Sequence, residues 1–158
     1  MSDYQPDPKI AYFINRLERL DPGGRARLKR SAGERLTEAR EIAFFYSLLP
    51  SGVQERQEEP YFLAATLFPL VDGGGKGDLG ASLRRARNDK NAKGLDRRVQ
   101  ALLDADEAQL SYRLRRAIFF LQSNRVRVNW VRLLEDLLRW NSSTRSVQRH
   151  WARSYFGE

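Results

Sequence analysis

Cysteine is absent from the 158-residue chain, which also holds only one histidine and one methionine. Without cysteine there can be no disulfide and no thiolate metal site, a composition that suits a reducing cytoplasm. With His150 as the sole histidine, a histidine-based catalytic dyad would have to use it. No serine or aspartate is placed by spacing to serve as its partner, so His150 reads as a surface residue. No apolar run approaches the roughly 20 residues that a membrane-spanning helix needs. The opening MSDYQPDPK lacks the basic-then-apolar pattern of a secretory signal. A soluble, cytoplasmic protein without membrane association is therefore expected. Nor does any stretch alternate with a period of two, which leaves essentially no sheet.

What the chain does have is arginine and helical periodicity. Of its 28 basic residues, 23 are arginine, and they are unevenly placed. Residues 1 to 79 carry 11 basic and 12 acidic side chains, a net of −1, whereas residues 80 to 158 carry 17 and 8, a net of +9. Codon usage in a GC-rich genome would favour arginine but would not cluster it. The clustering points to a polyanion, and the planar guanidinium fork suits phosphate better than the point charge of lysine. At 41% hydrophobic content, the chain has enough apolar surface to offset the entropy of ordering.

The most informative stretch runs from Asn129 to Tyr155. At helical spacing, Trp130, Val131, Leu133, Leu134, Leu137, Leu138 and Trp140 share an arc, which leaves Arg132, Glu135, Asp136 and Arg139 to the solvent face. Asn129 stands in the N-cap position, and Asn141-Ser142-Ser143 ends the pattern. A second helix begins near Thr144, with Val147, Trp151 and Tyr155 inward and Arg145, Arg149 and Arg153 recurring on the other side.

Upstream, Pro8 opens a helix with Ile10, Phe13, Ile14, Leu17 and Leu20 inward, and Asp21-Pro22-Gly23-Gly24 stops it. A short surface turn bearing Arg25, Arg27, Lys29 and Arg30 follows. Thr37 is placed to cap a helix carrying Ile42, Phe44, Phe45, Leu48 and Leu49 that ends at Pro50, Ser51 to Glu59 reads as an acidic linker, and Tyr61 to Leu70 as a buried segment. Val71 to Gly80 reads as a flexible glycine-rich loop that opens onto a helix with Leu79, Leu83 and Ala86 inward and Arg84, Arg85 and Arg87 around the rest. Two further helices are expected, one with Leu95, Val99, Leu102 and Leu103 buried. The other is capped by Asp106 and runs to about Gln122, with Arg113, Arg115 and Arg116 outward. The expected fold is all-α, with about eight or nine helices. It is a single domain over residues 1–158, which the loop would divide into lobes 1–72 and 79–158.

Candidate chemistry is sparse. Gly75, Gly77 and Gly80 match a GxGxxG spacing, but no strand precedes them, and the phosphate loop GxxxxGK[ST] fails at Leu70 and Gly77. The glycines are better read as a mobile junction that ends at a helix N-terminus able to meet a phosphate. Asp104, Asp106 and Glu107 sit where helix capping favours acids, and capping is preferred to a magnesium site. The tryptophans and the Phe44-Phe45 and Phe119-Phe120 pairs read as core rather than as base-stacking platforms. No cofactor is expected.

Three stretches then carry a resemblance: LGASLRR at Leu79 to Arg85, LDRRVQALLDAD, and above all VNWVRLLEDLLRW followed by RSVQRHWARSYF between Val128 and Phe156. Together with a looser match at Leu17 to Arg30 and at FFYSLLP, they resemble the CasB family, the small subunit of the type I-E Cascade CRISPR surveillance complex. Asn88 to Gly94 departs from the family pattern. The resemblance implies a non-catalytic helical subunit present as a tandem pair, in contact with the backbone and large subunits, guide RNA, and target and non-target DNA. Its implied task is to hold the R-loop, since in such assemblies base pairing reads sequence while protein holds the backbone. Arg25, Arg27, Lys29, Arg30, Arg84, Arg85, Arg87, Arg145, Arg149 and Arg153 are the candidate phosphate-binding residues. The rival reading is a stand-alone helical DNA-binding regulator, with a nuclease a distant third.

Overall fold

The architecture follows from where the apolar stripes must go. A computed structural model describes residues 7–158, so the first six residues of the segment read above for a signal lie outside the described residues. Among the described residues there are nine α-helices and no strand: α1 Pro8–Glu18, α2 Pro22–Lys29, α3 Ile42–Leu48, α4 Glu58–Leu67, α5 Leu79–Ala86, α6 Ala92–Leu103, α7 Glu107–Ser123, α8 Trp130–Leu138 and α9 Ser146–Phe156. Short 3-10 turns at Leu36–Glu38, Glu55–Gln57 and Phe68–Leu70 complete the set.

Five helices begin on a short polar cap whose side chain accepts a backbone N–H: Asp7, Asp21, Asp78, Asp106 and Asn129. Each satisfies an amide that would otherwise lack a partner. Asp106 and Gln109 form a reciprocal capping box, so Asp106 and Glu107 open α7, while Asp104 closes α6.

α4 is apolar all round and runs through the middle, with Tyr61 to Leu67 entirely buried. It packs on α2, α7 and α8, and α8 in turn packs on α1. The buried apolar side chains of both halves join in one continuous cluster, from Ile10 to Tyr155. Within it Phe13, Phe45, Phe62 and Tyr61 meet edge to face at centroid separations of 4.9 to 6.5 Å. The Tyr61 hydroxyl is pushed up to about 12 by burial, with Asp7 adding to the shift.

Several local expectations need correction. Asp21-Pro22-Gly23-Gly24 starts α2 as well as ending α1, because Asp21 caps Gly24 N–H at 2.7 Å and proline fits the first turn. Thr37 lies inside a 3-10 turn and caps nothing; α3 begins after Glu41, whose backbone is left-handed at φ 56°. The acidic linker already contains the first turn of α4, where Glu58 and Glu59 suit the positive end of the helix dipole.

The glycine-rich segment is not a free junction either. Gly75 N–H donates to the Val128 carbonyl at 3.3 Å, and Val128 N–H donates to that of Asp72 at 3.1 Å. A Cβ on Gly75 would lie 2.5 Å from the Arg127 carbonyl oxygen, so only glycine permits the approach. Trp130 Nε1 donates to the Val71 carbonyl at 3.0 Å and ties the start of α8 to the same strip.

The largest correction concerns α8. Glu135 and Asp136, expected on its solvent face, are 9% and 2% exposed. The arc assignment assumed that only one side of α8 is covered, whereas α1, α4 and the α9 segment surround it. Asp136 accepts Trp151 Nε1 at 2.8 Å and Arg132 Nε at 3.4 Å, with Arg139 Nη2 at 3.7 Å. Burial raises its pKa, although the Trp151 and Arg132 donors pull the other way. Burial and the neighbouring Asp136 charge raise that of Glu135. Asp136 is thus a structural anchor between α8 and α9.

Candidate nucleic-acid interface

The ten candidate residues fall into two groups by what their side chains touch. On α2, Arg27 Nε and Arg30 Nη1 both reach Glu41, at 3.1 and 3.3 Å, and the Arg27 guanidinium lies over the Phe44 ring at 4.2 Å. Arg25 lies over Phe68 at 5.3 Å and donates to the Glu18 carbonyl at 3.4 Å. Lys29 alone in this group is exposed with no bonded partner among the described residues. Three of the four α2 cations are therefore held by the protein itself.

α5 and α9 share the most extensive helix contact in the molecule. Gly80 makes it possible: a Cβ there would stand 2.3 Å from the Trp151 carbonyl oxygen. The contact draws the α5 arginines into the frame. Arg84 Nη1 donates to the Tyr155 carbonyl at 3.3 Å and Arg85 Nη2 to that of Lys76 at 2.6 Å. Arg87 forms a two-pronged pair with Asp96, Nε at 3.0 Å and Nη2 at 3.2 Å. The Tyr155 hydroxyl donates to the same Asp96 at 2.6 Å. Hydrogen bonds from Arg87 and Tyr155 lower the Asp96 pKa, while burial and the Asp96 acceptor raise that of Tyr155. Arg87 thus links α5, α6 and α9 and is occupied.

Neither the helix N-terminus expected to meet a phosphate nor the three-arginine row on the last helix survives intact. Asp78 fills the first: it accepts Ala81 N–H at 2.9 Å and Ser154 Oγ at 2.9 Å. In the second, Arg145 precedes α9 in a left-handed backbone at φ 54°, and its Nη2 folds back onto the Leu103 carbonyl at 2.7 Å. Arg149 and Arg153 remain exposed, with no side-chain partner among the described residues.

Another set, of which spacing placed only Arg115 and Arg116 on an outer face, shows a different pairing. Arg98 lies over Phe120 at 5.9 Å, Arg115 over Phe119 at 4.7 Å and Arg116 over Tyr112 at 5.8 Å. The i, i+4 spacing of Arg115/Phe119 and Tyr112/Arg116 on one helix was the available signal. The third pair spans α6 and α7, which no spacing reveals. Among the described residues, no group of three or more His, Cys, Asp or Glu is placed to hold a metal ion, and His150 is exposed on α9. Among the described residues, no helix is long and apolar enough to cross a membrane.

This helical arrangement has known counterparts. The sequence pattern describing CRISPR-associated protein Cse2 matches residues 24–156. A CRISPR-associated protein Cse2 from Thermus thermophilus is 35% identical over a 150-residue alignment, covering 82% of this chain and 86% of that relative. The crystal structure of a Cse2-family protein from Thermus thermophilus superposes with a TM-score of 0.80 at 30% identity, over 94% of this chain and 98% of that one. A chain within a solved CRISPR RNA-guided surveillance complex shares the fold, with a TM-score of 0.80 at 24% identity over 94% and 91% of the two chains. The match over nearly all of α2 to α9, together with the 35% identity, places this chain in the Cse2 family, also called CasB.

Proposed function

We propose that this chain is a non-catalytic small subunit of a type I-E CRISPR RNA-guided surveillance complex, where it holds nucleic-acid backbone and stabilises the displaced DNA strand of the R-loop. The observation that carries the reading is family membership over residues 24–156, supported by exposed arginines that no carboxylate neutralises. In such a complex the guide reads sequence, so a protein that supplies phosphate contacts on a rigid helical frame needs no base-reading element. Its partners are the other subunits, a second copy of itself, guide RNA and target DNA, and it acts in the cytoplasm without a cofactor.

Among the ten candidates, Arg149 and Arg153 offer the most available donors, Lys29 adds a third exposed cation, and Arg25, Arg27, Arg30, Arg84, Arg85, Arg87 and Arg145 work partly or wholly within the fold. The test is reconstitution of the complex with wild-type or Arg149→Gln/Arg153→Gln subunit. Guide loading should be unchanged and the R-loop shorter-lived, with the slope of log affinity against log salt reduced by ~0.7 per lost single-strand phosphate contact. Equal R-loop lifetimes and equal salt slopes would refute the role of these two residues. Sequence-selective duplex binding by the free chain at physiological salt would instead favour a regulator.

A further inference from the structure

Two of the three ring-stacked arginines, Arg98 and Arg116, border a groove that no function above has used. It is a half-open apolar cavity of about 110 Å³ between α5, α6 and α7, floored by Leu83, Val99, Leu102 and Ala117 and edged by Tyr112 and Phe120. Arg98 and Arg116 stand on its rim and also line a shallower depression beside it, with Arg115, Phe119 and Phe120. Tyr112 is 58% exposed, the most exposed large apolar side chain among the described residues.

The chemistry of the rim is specific. Arg98, Arg115 and Arg116 each rest on an aromatic face, and none forms an ion pair among the described residues. A ring face attracts the cation through its quadrupole but accepts no N–H hydrogen bond in the guanidinium plane, so the donor edges of the exposed Arg98 and Arg116 stay available. The Arg115 Nε is buried without any hydrogen-bond partner. Apolar floor, exposed aromatic edge and unneutralised donor rim together match a nucleobase flanked by phosphates. Apart from the Tyr112 phenol, no side chain lining the groove supplies an acceptor for a ribose 2′-hydroxyl, the group that would mark an RNA-specific site.

We infer that the α5–α6–α7 groove is a docking site for single-stranded DNA, in which an unstacked base lies on Tyr112 and Phe120 and the adjoining phosphates meet Arg98 and Arg116. A base inside a duplex is stacked and cannot enter, so the site selects single strands. The inference rests on the nucleic-acid reading above and adds a place for it.

The test uses the full chain with a fluorescent oligothymidylate, an abasic strand of the same length, the matching oligouridylate and a duplex. Thermal melting verifies that the variants fold. Tyr112→Ala should weaken oligothymidylate binding by about 10-fold or more, the scale of one lost base–aromatic stack, and leave abasic-strand binding unchanged. Arg98→Gln/Arg116→Gln should weaken both and lower the salt slope by about 1.4, two contacts at ~0.7 each. Arg149→Gln/Arg153→Gln is the comparison. If it weakens binding while the groove variants bind like wild type, the nucleic-acid reading stands and the groove assignment falls. If no oligonucleotide binds wild type at low salt, both fall. Equal losses on the duplex, or a larger loss on oligouridylate than on oligothymidylate, overturn the single-stranded DNA assignment. Groove variants that bind DNA normally but fail to enter the complex would mark a protein contact and overturn it too.

Discussion

Arg27 and Arg30 at α2 and Arg115 and Arg116 on α7 are the same residue type at two exposed helices, yet they are set up for different work. Arg27 and Arg30 share one carboxylate, Glu41, within 3.3 Å. Arg115 and Arg116, like Arg98 on α6, lean on rings and have no carboxylate among the described residues. A bridging carboxylate cancels charge and occupies donors, whereas a ring fixes the side chain and leaves both. Charge counts place the excess in the second half; side-chain partners among the described residues divide each half into held and available cations, with Lys29 free in the first and Arg84, Arg85, Arg87 and Arg145 held in the second.

The comparison assumes that both regions ride on one body, and the largest expected effect tests that. Leu137, on α8, belongs to the cluster shared by both halves. Leu137→Ala should cost ~2 to 5 kcal/mol through lost burial plus a cavity. Chemical denaturation followed separately by tryptophan fluorescence, which reports the second half where all three tryptophans lie, and by amide exchange in α1 should shift together. A first half that melts independently would break the single-body premise.

Gly80→Ala comes next. With 2.3 Å to the Trp151 carbonyl oxygen, the new methyl must push α9 from α5, at a cost of about 1 to 3 kcal/mol. The Arg84 and Arg87 contacts should loosen with it, visible as faster amide exchange at the C-terminal end of α9. An unchanged melting midpoint would mean the helices have room that the geometry denies.

Stability should also fall with rising pH above the ordinary carboxylate range. Burial raises Asp136 above its usual value of 3.8, so between that value and the raised one the folded state holds more protons than the unfolded state. The contribution of Asp136 is fully present below 3.8 and is lost as pH rises through its folded pKa; Glu135 acts in the same direction from 4.5. Asp96 has the opposite sign: its lowered pKa contributes stability above 3.8, lost as pH falls through the folded value. Asp136→Asn keeps an acceptor for Trp151 and should flatten the decline on the neutral side of the stability profile. An unaltered profile from urea melts across this range would remove Asp136 as its source.

The smallest expected effect would sharpen the comparison most. Glu41→Gln frees Arg27 and Arg30 without touching the core, so stability should change by less than about 1 kcal/mol. Affinity for oligothymidylate should rise, and the salt slope should steepen by up to about 1.4. If neither moves, partner chemistry does not explain why the two regions differ.

Much of the frame was legible. The cap at Asn129, the cap at Asp106, the buried run from Tyr61 to Leu70 and the inward faces of α1, α5, α6 and α9 all follow from spacing and local hydrogen-bond chemistry, which act within a few residues. Thr37 misled because a hydroxyl can cap but need not, and Asp21-Pro22-Gly23-Gly24 misled because the same residues that end one helix can start the next. Glu135 and Asp136 misled for another reason: an acidic residue is exposed by default unless a distant donor meets it, and the donor for Asp136 is Trp151, fifteen positions away.

The sequence by itself determined an all-helical chain, the periodic faces that form its core, the basic second half and the motifs of the Cse2 family. Those properties live in local periodicity and composition. Only the tertiary structure decided which arginines are available. A guanidinium looks the same in any sequence, and whether it ends on Glu41, on Asp96, on the Tyr155 carbonyl or on the face of Phe120 depends on elements brought together from up to 71 residues away. Its electrostatic role is set by that partner and not by its neighbours in the chain.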